Sequence, residues 1–237
     1  MKRIFISDLH LDADREDLTL AFLRFLDECC KDIDELYILG DFFELWLGDD
    51  DQSSLALRVV SALANLEARV FIMHGNRDFL LGEQFCDAAH ATLITDPHSI
   101  KFDDQNALLM HGDSLCTHDE EYMAARNLLR SEEFRQSFLS KKIHERKIIA
   151  AQIRGKSKQV SREKAGDIMD VTPEEVIGVM NKAGTSILIH GHTHRPAVHR
   201  VQLQFGPGIR YVLGDWDTSM QFLRSKGSQL ELVLYKF

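Results

Sequence analysis

The chain has 237 residues, with 28 Lys or Arg and 37 Asp or Glu, and its formal net charge is −9. This length suits one domain, or one domain with a subdomain, and the acidic balance argues against a general nucleic-acid-binding protein. The four cysteines form no CxxC pair, so we expect reduced thiols. No run of 18 apolar residues occurs, so we expect no membrane-spanning helix. No signal-peptide region precedes the first strand, so we expect a cytosolic protein.

Short apolar runs alternate with amphipathic segments in the first part of the chain. Strands are predicted at about 3–7, 36–39 and 69–73, and helices at about 16–30, 52–66 and 79–90. This βαβαβ alternation predicts a parallel sheet with right-handed crossovers. Further strands are predicted at 107–110, 186–190, 198–201, 209–213 and 230–235.

A segment at about 119–169 is predicted to be helical and reverses the sign of the charge. Residues 126–158 contain ten Lys or Arg and three Glu, a local net charge of +7, so the rest of the chain carries −16. We therefore predict a main domain formed by 1–118 and 170–237, with a basic helical cap inserted at 119–169.

Five short polar blocks each follow a predicted strand directly. They are DLH at 8–10, GD at 40–41, GNRD at 75–78, HGD at 111–113 and GHTH at 191–194. In open α/β sheets, ligands bind beyond the carboxyl ends of the strands, so we expect the blocks to meet at one edge. Each block alone could be a helix cap or a turn, but five in succession at strand ends favour a common site.

Together the blocks contain four His, two Asp and one Asn, which are enough for two metal ions: Asp8, His10, Asp41, Asn76, His111, His192 and His194. Imidazole and carboxylate groups suit Mn²⁺, Fe²⁺ or Zn²⁺, and the lack of thiolate argues against a structural zinc site. Asp8 and His10 are two residues apart, so strand alternation would point both the same way. Two ions bridged by Asp41 would suit attack of water on a phosphorus ester.

The order of these blocks resembles the calcineurin-like metallophosphoesterases, over about 1–113 and 186–237. The resemblance implies an α/β fold with two mixed sheets flanked by helices, here with a helical cap insertion, and Mn²⁺ as the expected metal. It implies that one ion is held by Asp8, His10 and His194, that the other is held by Asn76, His111 and His192, and that Asp41 bridges them.

Arg77 stands where many members of that family have His. A guanidinium cannot act as a general acid near neutral pH, but it can hold a phosphate oxygen, so we predict that Arg77 stabilises charge. The alternative is a surface ion pair with Asp78. The predicted catalytic residues are Arg77, Asp41 and His192. Asp78 and Asp113 are predicted to orient metal ligands, and His74 and His190 to pack beside the ligands or to orient them rather than to bind metal.

Longer strings resemble the UDP-2,3-diacylglucosamine hydrolases: YILGDFFE at 37–44, WLGDDD at 46–51, HGNRDFL at 74–80, HGDSLCT at 111–117, IMDV at 168–171 and IHGHTHRPA at 189–197. This resemblance covers nearly the whole chain. It implies hydrolysis of UDP-2,3-diacylglucosamine to UMP and 2,3-diacylglucosamine 1-phosphate, a step of lipid A biosynthesis in Gram-negative bacteria. It implies substrate contacts from Asn76, Arg77, Asp119, Ser157, Ser161, Lys164 and His192. Relatives are expected to carry a longer polar residue at 161, and Asp119 has an alternative role as an acid at a helix N-terminus.

The basic insert has two interpretations under this resemblance. Its apolar pairs, Phe134/Phe138, Leu139/Ile143 and Ile149/Ile153, form the core of the cap, a slot for acyl chains, or both, and under the second interpretation the basic surface rests on an anionic membrane. We expect a monomer that binds peripherally to the cytoplasmic side of the inner membrane and has no nucleic-acid partner. A nuclease, phosphodiesterase or phosphatase of the same superfamily stays an alternative, whereas a metal-free scaffold would have lost ligands that this chain keeps.

Overall fold

Two mixed β-sheets face each other in the computed structural model, which describes residues 1–102, 105–163 and 170–237. The first sheet has six strands, in the order β11 (Gln229–Lys236), β10 (Ser219–Lys226), β1 (Lys2–Ile6), β2 (Glu35–Leu39), β3 (Arg69–Met73) and β4 (Ala91–Ile94). The second has five, in the order β5 (His98–Phe102), β6 (Gln105–Leu109), β7 (Ile187–His190), β9 (Gly206–Val212) and β8 (Ala197–Leu203).

The predicted parallel sheet is confirmed for β1 to β4, which pair in parallel register, for example Phe5 with Tyr37 and Tyr37 with Phe71. The rings of these three residues stack in the layer between the sheets, at centroid distances of 5.0 and 4.7 Å. β10 and β11 then extend the sheet with antiparallel pairs, so the whole sheet is mixed.

Seven α-helices lie in the described part of the chain: α1 (Glu16–Cys29), α2 (Ser54–Ala64), α3 (Glu83–Ala88), α4 (Glu120–Leu129), α5 (Glu132–Leu139), α6 (Ile143–Glu163) and α7 (Pro173–Ala183). Leucine and phenylalanine residues of α1 to α3 pack on the outer face of the first sheet, and Val176 and Met180 of α7 pack on the outer face of the second. The predicted α/β sandwich flanked by helices is therefore confirmed.

The insert is helical, as predicted, and its apolar side chains pack on the main domain. Phe138 and Ala150 are buried in the same core cluster as α1, and Phe134, Leu139 and Ile149 pack against that cluster. These residues thus extend the main core rather than forming a separate core of the cap. The division into 1–118 with 170–237 and 119–169 stays a prediction. Among the described residues, no helix is both long and apolar enough to cross a bilayer.

Candidate metal centre

Hydrogen bonds between loops bring the five polar blocks together at one edge of the sandwich. The Asp8 N–H donates to the Gly40 carbonyl at 3.1 Å, and the Gly191 N–H donates to the His111 carbonyl at 2.9 Å. The His192 N–H donates to Asp8 Oδ2 at 2.8 Å, linking the first block to the last. The expectation that the blocks meet is confirmed.

The backbone reaches this arrangement through left-handed turns rather than strand alternation. β1 ends at Ile6, and the φ angles of five predicted ligands are positive: Asp8 (56°), His10 (49°), Asp41 (49°), His192 (68°) and His194 (54°). We expected Asp8 and His10 to point the same way because both would lie on a strand. Their side chains do belong to one cluster, but neither residue lies on a strand, so the reason given was wrong. Residues with a Cβ rarely adopt this conformation, so the surrounding contacts must hold each turn in place.

Two glycines allow the blocks to approach this closely. A Cβ on Gly191 would lie 2.2 Å from Asp8 Oδ2, and one on Gly75 would lie 2.1 Å from Asp41 Oδ1. Both distances are far inside van der Waals contact, so a side chain at either position would displace a predicted ligand.

Replacing Gly191 with Ala is expected to lower turnover by a factor of about 10², because an added methyl displaces Asp8 by a large fraction of an ångström. Metal content measured by mass spectrometry should fall in parallel. The matched control is Gly178→Ala in α7, where a Cβ meets nothing within 4 Å and helix propensity favours Ala. Equal activity of the two variants would contradict the proposed close packing.

Asp8, His10 and His194 form the first of two clusters. The Nε2 atoms of the two imidazoles lie 3.2 Å apart, and His194 Nε2 lies 3.4 Å from Asp8 Oδ1. Asp8 is buried, and its Oδ2 accepts hydrogen bonds from the Ser7 hydroxyl at 2.6 Å and from the His192 N–H. Its Oδ1 is buried and has no hydrogen-bond partner among the described residues.

Asp41, His111, Asn76 and His192 form the second cluster. Asp41 Oδ1 lies 3.7 Å from His111 Nε2, and Asp41 Oδ2 lies 3.9 Å from His10 Nε2, so this carboxylate faces both clusters. Asn76 Oδ1 lies 3.0 Å from His111 Nε2. The ring of His192 packs edge-on against that of His111, at a centroid distance of 5.0 Å.

The charges of the site fit a cation. Burial lowers the pKa of His111, but the carboxylates of Asp41, Asp8 and Asp113 outweigh this and raise it to about 9. Burial also lowers the pKa of His194, yet the nearby carboxylates of Asp215 and Asp8 raise it to about 10. The carboxylates thus draw positive charge into the site, and divalent ions would replace these protons. The orphan Asp8 Oδ1 and the facing imidazole nitrogens provide matching donor atoms.

His192 is a candidate ligand whose imidazole is neutral. Burial and the charge on His111 lower its pKa to about 3. A neutral imidazole keeps a lone pair for a metal ion, which a protonated one lacks. His111 has the matching tautomer, because its Nδ1 donates to the Leu39 carbonyl at 2.9 Å and leaves Nε2 to face the cluster.

Two carboxylates that the sequence did not identify as site residues stand behind the histidines of the first cluster. Glu44 Oε2 lies 2.9 Å from His10 Nδ1, and Asp215 Oδ2 lies 3.3 Å from His194 Nδ1. Such partners fix the ring orientation and raise the basicity of the opposite nitrogen. Their only sequence signal is position: Glu44 lies just after the second block, and Asp215 follows the end of β9.

Asp78 and Asp113 accept hydrogen bonds from backbone N–H groups and from residues of the α4 region, rather than from the side chains of the predicted ligands. Asp78 is buried and accepts hydrogen bonds from the N–H groups of Phe42 and Gly75, each at 2.7 Å, next to Asp41 and Asn76. Asp113 accepts from Tyr122, Arg126 and Arg130 and so ties α4 to the second sheet.

His74 and His190 lie outside both clusters, in agreement with the packing role predicted for them. His74 Nε2 donates to the Leu81 carbonyl, and His190 Nδ1 donates to the Gly191 carbonyl. Burial and the charge of Arg210 lower the pKa of His190 to about 4.

The predicted substrate contacts are only partly within the described structure. The backbone N–H of Arg77 donates to Asp41 Oδ1 at 2.8 Å. The guanidinium Nη1 lies 3.9 Å from Glu44 Oε1, so the side chain is directed toward Glu44 rather than paired with Asp78. Asp119 is the N-cap of α4 and accepts from the Tyr122 N–H at 3.0 Å, which is the alternative role considered for it. Ser157 and Ser161 belong to α6, whose last turns are described only as backbone, and Lys164 lies outside the described residues.

Comparison with known proteins places this geometry among phosphoesterases. A family model described as calcineurin-like phosphoesterase matches residues 1–196. Three relatives named UDP-2,3-diacylglucosamine hydrolase are similar over nearly their full length. The one from Hahella chejuensis is 45% identical and covers 100% of this chain and 98% of its own. The one from Marinobacter nauticus is 45% identical, covering 97% and 95%, and the one from Pseudomonas paraeruginosa is 48% identical, covering 92% of each.

Proposed function

This chain belongs to the calcineurin-like phosphoesterase family and, within it, to the UDP-2,3-diacylglucosamine hydrolases, and we propose that it hydrolyses UDP-2,3-diacylglucosamine to UMP and 2,3-diacylglucosamine 1-phosphate, a step of lipid A biosynthesis. The observation that carries this proposal is the cluster of Asp, His and Asn side chains at the sheet edge, of which Asp8, Asp41 and His111 are buried, in a chain that matches these hydrolases over their length.

Two divalent ions, Mn²⁺ by preference, would be held by these side chains. Asp8, His10 and His194 would bind one ion, Asn76, His111 and His192 the other, and Asp41 both. When bound, such ions activate water and offset the charge of phosphoryl oxygens. Added Mn²⁺ should also raise the melting temperature of chelator-treated protein, since an ion that binds only the folded state at a hundred times its Kd stabilises it by about 2.7 kcal/mol.

The chain's own residues orient the pyrophosphate. The Nε of Arg77 is buried and has no hydrogen-bond partner among the described residues, so the guanidinium has a donor for a phosphoryl oxygen.

A water oxygen attacks the phosphorus of the UMP half, and the bond to the bridging oxygen breaks. The leaving group is a phosphate monoester whose second pKa is about 6, so it can depart without a general acid. An Arg in place of a His at position 77 is consistent with such a leaving group.

Hydrolysis of UDP-2,3-diacylglucosamine in ¹⁸O-water, with Mn²⁺ and with chelator, tests the proposal directly. Mass spectrometry is expected to find metal-dependent UMP carrying the label. Label in the lipid phosphate would keep the substrate but reverse the attacked phosphorus. No turnover by metal-loaded protein, together with cleavage of a generic phosphodiester, would replace the proposed function with that of a phosphodiesterase.

The insert supports peripheral binding to the cytoplasmic side of the inner membrane. Leu128 and Ile148 are 65% and 58% exposed, and both lie in the basic segment 126–158. Apolar side chains among cations are the combination by which a helix rests on an anionic leaflet. The apolar face of the same insert would border the acyl chains of the substrate, and Ser157 and Lys164 would contact its phosphate or sugar hydroxyl groups, with Asp119 and Ser161 as further polar contacts. We propose a monomer with no nucleic-acid partner.

Sedimentation with liposomes containing anionic phospholipid is expected to capture the protein at low salt and to release it as salt screens the charges. The double variant Leu128→Ser with Ile148→Ser should bind more weakly, whereas the control Leu57→Ser, at an exposed position of α2, should bind like wild type. Equal binding to neutral liposomes would contradict the electrostatic part of the proposal.

A further inference from the structure

A cavity of about 240 Å³ lies beside the loop that carries two of the predicted metal ligands. It is lined by Thr193, which stands between His192 and His194, and by Arg195, His199, Arg210 and Asp170. None of these residues belongs to the metal clusters or to the predicted substrate contacts. The cavity lies on the face of the second sheet that carries α7, because Arg210 pairs in register with Leu188, a member of the core cluster under that helix.

Arg210 is the unexplained group of this cavity. Its Nη1 is buried, yet it has no hydrogen-bond partner among the described residues. The nearby carboxylate of Asp170 is already engaged by Arg195 Nη1 at 3.0 Å. A buried guanidinium nitrogen without an acceptor is unfavourable, and such a group in a cavity indicates that a ligand supplies the acceptor.

The lining has more donors than acceptors. Its two guanidiniums only donate, its imidazole and hydroxyl can donate or accept, and only one side chain is a carboxylate, so the complementary ligand is rich in acceptor oxygens. The proposed substrate has two halves, and the predicted lipid contacts lie in the insert. Its other half contains a uridine, whose base carbonyl and ribose oxygens have no assigned partner. A cavity of this volume suits one half of such a substrate and not the whole.

We propose that this cavity binds the uridine nucleotide half of the substrate, with Arg210 donating to an acceptor oxygen of the nucleotide while Thr193 and His199 border it. This inference rests on the proposed function. Its consequence is that recognition is divided: the nucleotide is held beside the β7–β8 loop and the lipid by the insert. The two phosphates then lie between them, at the metal clusters.

Product inhibition tests this division, with UMP and 2,3-diacylglucosamine 1-phosphate as separate inhibitors of the hydrolysis. Arg210→Gln is expected to raise the inhibition constant of UMP by a factor on the order of ten or more, because a charge-assisted hydrogen bond is lost. The inhibition constant of the lipid product should stay within about twofold, since independent sites couple weakly. His199→Ala should raise the inhibition constant of UMP by a smaller factor. Because His199 is exposed, this variant keeps the fold and still tests the cavity if Arg210→Gln lowers the melting temperature.

Arg200→Gln is the matched control, because Arg200 neighbours His199 on β8 but does not line the cavity. Wild-type UMP inhibition in both Arg210→Gln and His199→Ala would overturn the inference, and so would an equal rise of both inhibition constants. If the wild type does not hydrolyse the lipid substrate at all, the proposed function fails separately. Calorimetric titration of UMP into Mn²⁺-loaded protein then still decides whether Arg210 binds the nucleotide.

Discussion

Replacing Asp41 with Asn is expected to reduce turnover by a factor of more than about 10³, the largest loss at any single position of the site. Asp41 is a buried carboxylate that faces imidazoles of both clusters, at 3.7 Å from His111 and 3.9 Å from His10. An amide keeps the shape and tolerates the left-handed backbone, but its nitrogen cannot bind a cation. The variant should therefore bind fewer metal ions as well as lose activity.

Metal content by mass spectrometry and turnover of the ¹⁸O assay measure this effect, with exposed Asp14→Asn as the matched control. Burial raises the pKa of Asp41 to about 6, so the charged carboxylate destabilises the metal-free fold at neutral pH. Chelator-treated Asp41→Asn should accordingly melt no lower than wild type. A variant that keeps near-wild-type turnover would refute the metal assignment, and one that melts much earlier would assign Asp41 a folding role instead.

Replacing Arg146 with Met is expected to destabilise the protein by about 3 kcal/mol, the largest stability effect among the polar residues of the insert. Arg146 is buried in α6, and its guanidinium donates to the carbonyls of Leu47, Leu139 and Lys141 at 2.8 to 2.9 Å. It also pairs with both oxygens of Asp50, a half-exposed carboxylate that water screens and that contributes less. Met fills the space but leaves three carbonyls without their donor.

Thermal melting measures this change, and for a chain of this length the expected shift is roughly 6–12 °C. Lys147→Met, at the next and exposed position of the same helix, is the matched control. Because Arg146 joins the insert to the loop after the second block, KM for the lipid substrate should also rise. A melting temperature equal to that of the control would show that the packing of Phe138 and Ala150 suffices to hold the insert.

The sequence predicts which blocks meet, because five polar strings follow runs that only a buried strand explains. It also predicts the basic insert from its reversed charge. It misses β10, whose string SMQFLRSK mixes buried apolar residues such as Phe222 and Leu223 with Arg224 and Lys226, which are exposed. It misses β4, which has only four residues, and α7, although Pro173 and Gly184 mark its ends.

What the sequence could not predict is the local geometry of the site. Spacing alone suggested that Asp8 and His10 share a strand, whereas both lie beyond its end in left-handed turns. The roles of Glu44 and Asp215 likewise depend on tertiary contacts, because nothing in their neighbours distinguishes them from the chain's other acidic residues. Position along the chain identifies the ligands, and only the folded loops identify what holds those ligands in place.

The positive φ angles at Asp8, His10, Asp41, His192 and His194 have an evolutionary consequence. Each such residue costs the fold on the order of 1 kcal/mol, and glycine would relieve much of that strain. A population selected for heat resistance alone would therefore be drawn toward glycine at these five positions and would lose its chemistry there. The site is retained only where growth depends on the reaction, so this edge of the sandwich is where stability and activity compete most directly.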